Sequence, residues 1–383
     1  MKKPVRSILI IQYKFLGDLV LTSALVSNLR HHFKNSKVVI LCTVGFESFL
    51  VDHGIADASI PYSRKRMRGS LWERGREFYR LIRQLRAHRF DLTIDLTDRK
   101  TTRTIIGLIN APVRIGFNPP EKPLRKWERQ TNNFFSVPYG YRGKHFVDHY
   151  LAPLETLGLN TVSRIPVLNS LSPETDRAFK FLVEHGFPLK TFIVVHAGAS
   201  FIGRCWQPER FAAAINQISQ KSGIENFILV GGPGETELAD TILAASSSRI
   251  VNGVGKFPLG TLLAILQQAR LFLGNESGPM HLAAAAGTPV VGLYGLTDPV
   301  RWGPLGVNHI AVRPPMPCNC IDPRICNWPD PSVSCCVWHL SVDEVVAATC
   351  KLLSMDGPDG GPSFDVVASG GIPQQPATKD QRH

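Results

Sequence analysis

The chain carries no hydrophobic run long enough to cross a bilayer or to form the core of a secretory signal. The one near its start, residues 8–11, follows Lys2, Lys3 and Arg6 but breaks at Gln12 and Lys14, and again at Gly17 and Asp18. A membrane span needs roughly 20 apolar residues. The expectation is therefore a cytoplasmic protein, at most peripheral to the cytoplasmic face of a membrane. No glycine-rich G-x-G-x-x-G fingerprint follows the first strand-like segment, since residues 12–18 hold only Gly17, which argues against a dinucleotide hydride-transfer enzyme. Nor is there an internal sequence repeat. Eight cysteines in 383 residues do not suggest a secreted disulfide scaffold.

Acidic residues are in short supply, 31 against 43 lysines and arginines, for a net charge of +12. Such a surface favours anionic partners. The excess concentrates in residues 64–89, where Arg64, Lys65, Arg66, Arg68, Arg74, Arg76, Arg80, Arg83, Arg86 and Arg89 face only Glu73 and Glu77. Two readings stand: a solvated helix face, or a docking surface for an acidic acceptor or a membrane. The run reads as having no aromatics interleaved as a base-stacking surface would require, so nucleic acid is not expected as a partner.

What is present reads as strands alternating with helices. Residues 7–12, 37–43 and 91–96 are short buried strands, separated by helices over 19–33 and 74–88. After a polar linker at 159–173 the pattern restarts. Helices are expected over 174–185, 207–222, 259–269 and 341–353, and strands over 192–196, 226–230, 269–274 and 289–294. This alternation predicts an α/β protein of two Rossmann-like domains, each with a parallel sheet covered on both faces. The expected limits are 1–165 and 174–354, with 355–383, rich in Gly, Pro, Ser and Gln, as a flexible tail. In such sheets ligands bind outside the carboxyl ends of the strands, and the polar motifs fall at those ends.

In residues 274–294, a strand end and the loop Asn275-Glu276-Ser277-Gly278-Pro279 open a helix bearing His281. Free N–H groups at a helix start bind anions, Ser277 adds a hydroxyl and Gly278 permits close approach. The bland alternative is a capped helix with a core histidine. Asp18 suits either a helix N-cap or a general base. Glu235, after Gly231-Gly232-Pro233-Gly234, suits either a ribose contact or a helix cap. Cys318, Cys320, Cys326 and Cys335, with Cys336 beside them, have the spacing C-x-C-x5-C-x8-C-C. That is not a clean pair of zinc knuckles, so a structural zinc is one reading and loop thiols the other. Cys42, Cys205 and Cys350 read as small buried residues.

Several of these segments together resemble glycosyltransferase family 9, the ADP-heptose:lipopolysaccharide heptosyltransferases. Residues 275–281 are similar to the family's D-S/T-G-x-x-H motif, and 15–22 (FLGDLVLT) to its glycine-aspartate motif. Residues 196–200 with Arg204-Cys205-Trp206 match its second-domain phosphate loop, 231–235 its nucleotide loop, and 90–96 its Y-D-x-x-I-D-L strand. The segments 91–98 and 204–206 look most like the heptosyltransferase III branch. The resemblance implies a GT-B fold with a central cleft and inverting transfer of heptose from ADP-heptose to the inner core of lipopolysaccharide, with Asp18 as general base. It implies donor binding by Ser200, Arg204, Glu235, Glu276, Ser277, Gly278 and His281. On charge grounds Arg64, Lys65, Arg66 and Arg68 are expected to bind the acceptor, and no metal cofactor is expected to be required, since positive side chains and the helix dipole can carry the leaving charge. Two positions depart from the pattern: Glu276, where the family usually carries Asp, and Arg204, where many members carry Lys. The remaining alternatives are another nucleotide-sugar enzyme, such as an epimerase or a transferase of a different sugar, and a non-catalytic basic glycan-binding module.

Overall fold

The computed structural model describes residues 4–63, 70–97, 99–117, 134–137, 144–200, 202–295, 297–314, 336–355 and 364–368. Thirteen strands lie among them, in two wholly parallel sheets. The first holds β1 (Ser7–Ile11), β2 (Lys37–Thr43), β3 (Ala58–Tyr62), β4 (Leu92–Asp95), β5 (Val113–Phe117) and β6 (Phe134–Val137), ordered β3-β2-β1-β4-β5-β6. The second holds β7 (Phe192–His196), β8 (Asn226–Leu229), β9 (Arg249–Asn252), β10 (Leu271–Asn275), β11 (Val290–Leu293), β12 (His309–Arg313) and β13 (Phe364–Ala368), ordered β13-β12-β11-β10-β7-β8-β9. Both sheets share the doubly wound plan, and each reverses direction beside its first strand: between β1 and β4, and between β7 and β10. Such reversals open a crevice at the strands' carboxyl ends.

The central strands form where the sequence supplies uninterrupted apolar residues. Ile8, Leu9, Ile10 and Ile11 are buried, as is every residue of β7, which is what helices on both faces of a sheet require. The strands that the apolar pattern did not announce lie toward the sheet edges. β3 carries Pro61, tolerable at an edge, and β9 is only half-buried. β13 pairs with β12 in register from His309↔Phe364 to Arg313↔Ala368. It lies inside the stretch expected to be a flexible tail, and its run Phe-Asp-Val-Val-Ala is the only strand-like segment between glycines and prolines there. The helix Ser172–Glu184 takes Pro173 into its first turn, so coil ends two residues earlier than expected.

Between the two sheets, the helix Leu16–His32 packs on the helix Gly278–Ala285. Their first turns meet at bare backbone. A Cβ on Gly17 would fall 2.8 Å from the His281 ring, and one on Gly278 would fall 2.8 Å from Leu16 Cβ. Leu19, Leu25, Met280 and Leu282 belong to one apolar cluster that runs through this seam. Leu168, in the connecting coil, donates its N–H to Ala285 O at 2.9 Å. His145 closes the seam from another side: its Nδ1 accepts from the Val147 N–H (3.0 Å), which leaves Nε2 to donate to Gly303 O (2.8 Å).

Candidate active site

The carboxyl ends of the two sheets face this seam, and the polar residues singled out in the sequence gather there in two groups. On the second sheet, His196 ends β7. One ring nitrogen, Nδ1, lies 3.1 Å from Ser277 Oγ and the other, Nε2, 3.3 Å from Glu235 Oε2. Burial opposes ionisation of Glu235. Hydrogen bonds from His196 and from the Gly232 N–H (2.7 Å) outweigh it and hold the carboxyl below its usual range. An ionised carboxylate only accepts, so His196 donates from Nε2 to Glu235. Glu235 lies flat across Gly198 and Gly231, where a Cβ on either glycine would overlap its carboxylate. In the sequence His196 stands within a motif and carries no role of its own. Its place as the last residue of a buried strand was the available signal.

Asn275 stitches the neighbouring loops together, accepting from the Trp206 N–H at 3.0 Å and donating to Ala197 O at 2.6 Å. The buried Trp206 anchors this loop from below by donating to Leu340 O at 3.0 Å. Arg204, in the short turn Ile202–Arg204, pairs with Glu276 at 2.9 Å, and the Thr297 hydroxyl donates to the same Glu276 oxygen at 3.0 Å. Glu276 is only 5% exposed. Burial raises its carboxyl pKa, the Arg204 charge and Thr297 oppose the rise, and the Asp18 charge adds to it. Two residues expected to touch different parts of a donor are thus bound to each other.

On the first sheet, Asp18 occupies the first turn of the helix that follows β1 and is 8% exposed. Its two oxygens divide the two readings of this residue. Oδ2 accepts the Phe15 N–H at 3.1 Å, as a helix cap does. Oδ1 accepts a hydrogen bond from the Tyr150 hydroxyl. Tyr150 is buried, and burial together with the Asp18 charge pushes its phenol far above the ordinary range, so it stays a donor. Nothing in the sequence linked these residues. At the rim, the Phe146 ring stacks on Trp302 (centroids 4.0 Å apart), with Lys14 and Arg301 5.9 and 5.6 Å from its centre.

His281 is buried at the seam against Gly17. Burial, reinforced by His145 and Arg204, lowers its pKa to about 3, so it is neutral near pH 7 and can offer an anion only an N–H. Arg64, Lys65, Arg66 and Arg68 lie outside the described residues, as do Cys318, Cys320, Cys326 and Cys335. Among the described residues no group of three or more metal-ligating side chains occurs. Cys42 and Cys205 are buried, their thiols pushed by burial to about 12 and about 11; Cys350 is only half-buried.

Burial holds His149 and His309 at about 4, as it holds His281 at about 3. A folded-state pKa below the unfolded value of about 6.5 means that the unfolded chain binds more protons on acidification. The stability these neutral histidines contribute is complete above about pH 6.5 and is lost as pH falls toward about 4, by on the order of 1 kcal/mol per histidine per pH unit. The thermal unfolding midpoint should therefore fall clearly between pH 7 and pH 5. An unchanged midpoint would contradict the burial of these rings.

Two doubly wound parallel sheets meeting at their carboxyl ends, with a glycine-cradled carboxylate on one side and a helix-capping aspartate on the other, form the GT-B arrangement. The family model for glycosyltransferase family 9 (heptosyltransferase) matches residues 78–323, and the chain belongs to that family. A lipopolysaccharide heptosyltransferase 3 of Escherichia coli is 27% identical over 300 residues, 78% of this chain and 86% of that protein. The lipopolysaccharide core heptosyltransferase OpsX of Haemophilus influenzae is 25% identical over 308 residues, 78% and 82% of the two chains. Among solved structures, a family 9 glycosyltransferase from Veillonella parvula superposes with a TM-score of 0.75 at 22% identity, covering 93% of this chain and 99% of that one. The E. coli heptosyltransferase WaaC with ADP superposes with a TM-score of 0.68 at 19% identity, covering 90% and 99%.

Proposed function

We propose that this chain is an inverting heptosyltransferase that moves heptose from ADP-heptose to the inner core of lipopolysaccharide, within the heptosyltransferase III branch. The observation that carries the reading is the opposition, across one seam, of the Asp18 carboxylate and the turn from Asn275 to His281, close enough that Gly17 abuts His281. The part of the chain up to residue 165 takes the acceptor, with Arg64, Lys65, Arg66 and Arg68 toward its anionic groups. Residues 174–354 take the donor. Glu235 on its glycine cradle is placed for the ribose, and Ser200, Arg204 and the first-turn N–H groups after Ser277 for the diphosphate.

Transfer needs a proton removed from the attacking hydroxyl and negative charge stabilised on the leaving diphosphate. Asp18 accepts the proton on a lone pair that Phe15 and Tyr150 leave open, while their two bonds fix the carboxylate. Arg204 meets the growing phosphate charge. Its present partner, Glu276, is then released toward the sugar hydroxyls. Arginine and backbone dipoles can carry that charge, so the reading requires no metal. The acceptor is lipid-borne, which places the work at the cytoplasmic face of the inner membrane; no described helix is long and apolar enough to cross a membrane.

Incubation with ADP-heptose and a series of truncated lipopolysaccharide cores tests this. A heptose mass increment on one core is the expected outcome. Mass gain only with a different nucleotide sugar would overturn the choice of heptose, and donor turnover without any acceptor would favour an epimerase.

A further inference from the structure

The helix Leu71–Ala87 has two unlike faces. Leu81, Ile82 and Leu85 are buried against Leu9, Ile11 and Val39 of the first sheet, with Phe78 packed beside them. Trp72, Arg76, Tyr79 and Arg83 follow one another at intervals of four, three and four residues, which places them on a single opposite stripe. The two rings are 74% and 67% exposed, and Arg76, Arg80 and Arg83 are exposed with them. The stripe thus answers the earlier reading of the basic run. Aromatics do interleave its arginines, but the pattern emerges only once the helix is wound.

Both acidic residues of the helix are engaged. Glu73 caps the helix start with Ser70, and Glu77 pairs with Arg80 at 3.0 Å. Arg76 reaches back over the Trp72 ring at 5.4 Å. Because the helix runs from β3 back to β4 in a parallel sheet, its Trp72 end rises at the strands' carboxyl edge. There Tyr62, at the end of β3, stacks on Tyr13 in the loop that leads to Asp18 (centroids 4.4 Å apart).

We propose that this stripe is a docking surface for an anionic lipid bilayer. Indole and phenol rings are amphipathic and favour the headgroup region over water. Arginines beside them are drawn to anionic lipid and extend their stems along the interface. A helix with one face in the protein core and the other so furnished lies in the plane of the interface. Charge and ring chemistry together favour lipid over nucleic acid. The two rings lie about 10 Å apart along a convex helix, whereas single strands are held in grooves on successive stacking platforms. The inference deepens the proposed function by supplying the face through which a lipid-borne acceptor is met, and it rests on that reading for its purpose but not for its test.

Full-length protein is sedimented with vesicles of phosphatidylglycerol and phosphatidylethanolamine, and with vesicles of phosphatidylcholine, at about 0.1 M salt, where the Debye length is about 10 Å. Preference for the anionic vesicles is expected. Arg76→Gln with Arg83→Gln, and separately Trp72→Ser with Tyr79→Ser, should each weaken partitioning at least about tenfold. The aromatic pair should keep turnover on a de-acylated, soluble core and lose it on the same core presented in vesicles. Circular dichroism confirms folding of each variant. Equal binding to both vesicle types, variants that partition like the parent chain, or the same four residues mattering for a single-stranded oligonucleotide but not for vesicles would each overturn the proposal. Stripe-dependent vesicle binding in a protein that transfers no heptose would leave it standing and remove only the heptose reading.

Discussion

Asp18→Asn should cut transfer by at least about a hundredfold, and toward ten-thousandfold if proton removal limits the rate, the range a positioned general base contributes. The substitution isolates the chemistry. Asparagine keeps the shape of the side chain, its amide oxygen can still accept the Phe15 N–H, and its NH2 can donate to the Tyr150 oxygen, so the helix start survives. What disappears is the ability to take a proton. Donor affinity, read by ADP binding, should stay within a few-fold, because Asp18 belongs to the opposite lobe. Tyr150→Phe is the companion experiment. It deprives the carboxylate of one of the two hydrogen bonds that orient it, and a base held less firmly is a less effective one. Turnover should therefore fall, but by less than in Asp18→Asn, while ADP binding is unchanged. Wild-type turnover in Asp18→Asn would remove the base assignment. Unchanged turnover in Tyr150→Phe would reduce the phenol to packing.

The seam that brings these groups together was only half legible in the sequence. Uninterrupted apolar runs marked β2 and β7 to the residue, because a strand covered on both faces carries its own signal. β3, β5, β6, β9, β12 and β13 were missed. Pro61 in β3, Arg114 in β5 and Arg249 in β9 interrupt their runs, and strands toward an edge can carry such residues because part of their surface meets solvent. Their pairing comes from the neighbouring strand, which no local pattern encodes. The site shows the same division. Asp18 and the turn from Asn275 to His281 were readable because loop, glycine and helix start lie in one short segment. Tyr150 on Asp18, His196 between Ser277 and Glu235, and His281 against Gly17 were not, since each joins segments that only the tertiary fold brings together. His281 is expected among the donor contacts, and the seam that buries it against Gly17 keeps it neutral. Trp72 and Tyr79 show a third kind of loss: they are plain in the sequence, but their common stripe with Arg76 and Arg83 becomes visible only at helical spacing.

Arg204→Ala should be the other severe variant, and its severity should have two separable parts. The first is catalytic. Removal of a preorganised donor to developing charge costs on the order of a hundredfold to a thousandfold in kcat, and Arg204→Lys should recover part of it by restoring charge without the planar fork. The second is structural. Glu276 stays buried when its partner leaves, and breaking such a pair from one side typically costs about 3–5 kcal/mol, less here because Arg204 is itself partly exposed. The two parts respond differently to pH. Burial already raises the Glu276 carboxyl above its ordinary value despite Arg204, and loss of the guanidinium raises it further. A group whose folded pKa is raised is at its most stabilising when protonated and loses that contribution as pH rises through the folded value. The deficit in unfolding midpoint of Arg204→Ala relative to the parent chain should therefore shrink on acidification, even as the buried histidines lower both midpoints. Glu276→Gln removes the trapped charge, so combined with Arg204→Ala it should restore most of the stability and none of the rate. A deficit that is constant in pH, or a double variant no more stable than Arg204→Ala alone, would show that the ion pair does not govern this corner of the cleft. A double variant with recovered rate would show that Arg204 acts only by restraining Glu276, and the diphosphate would then need another partner.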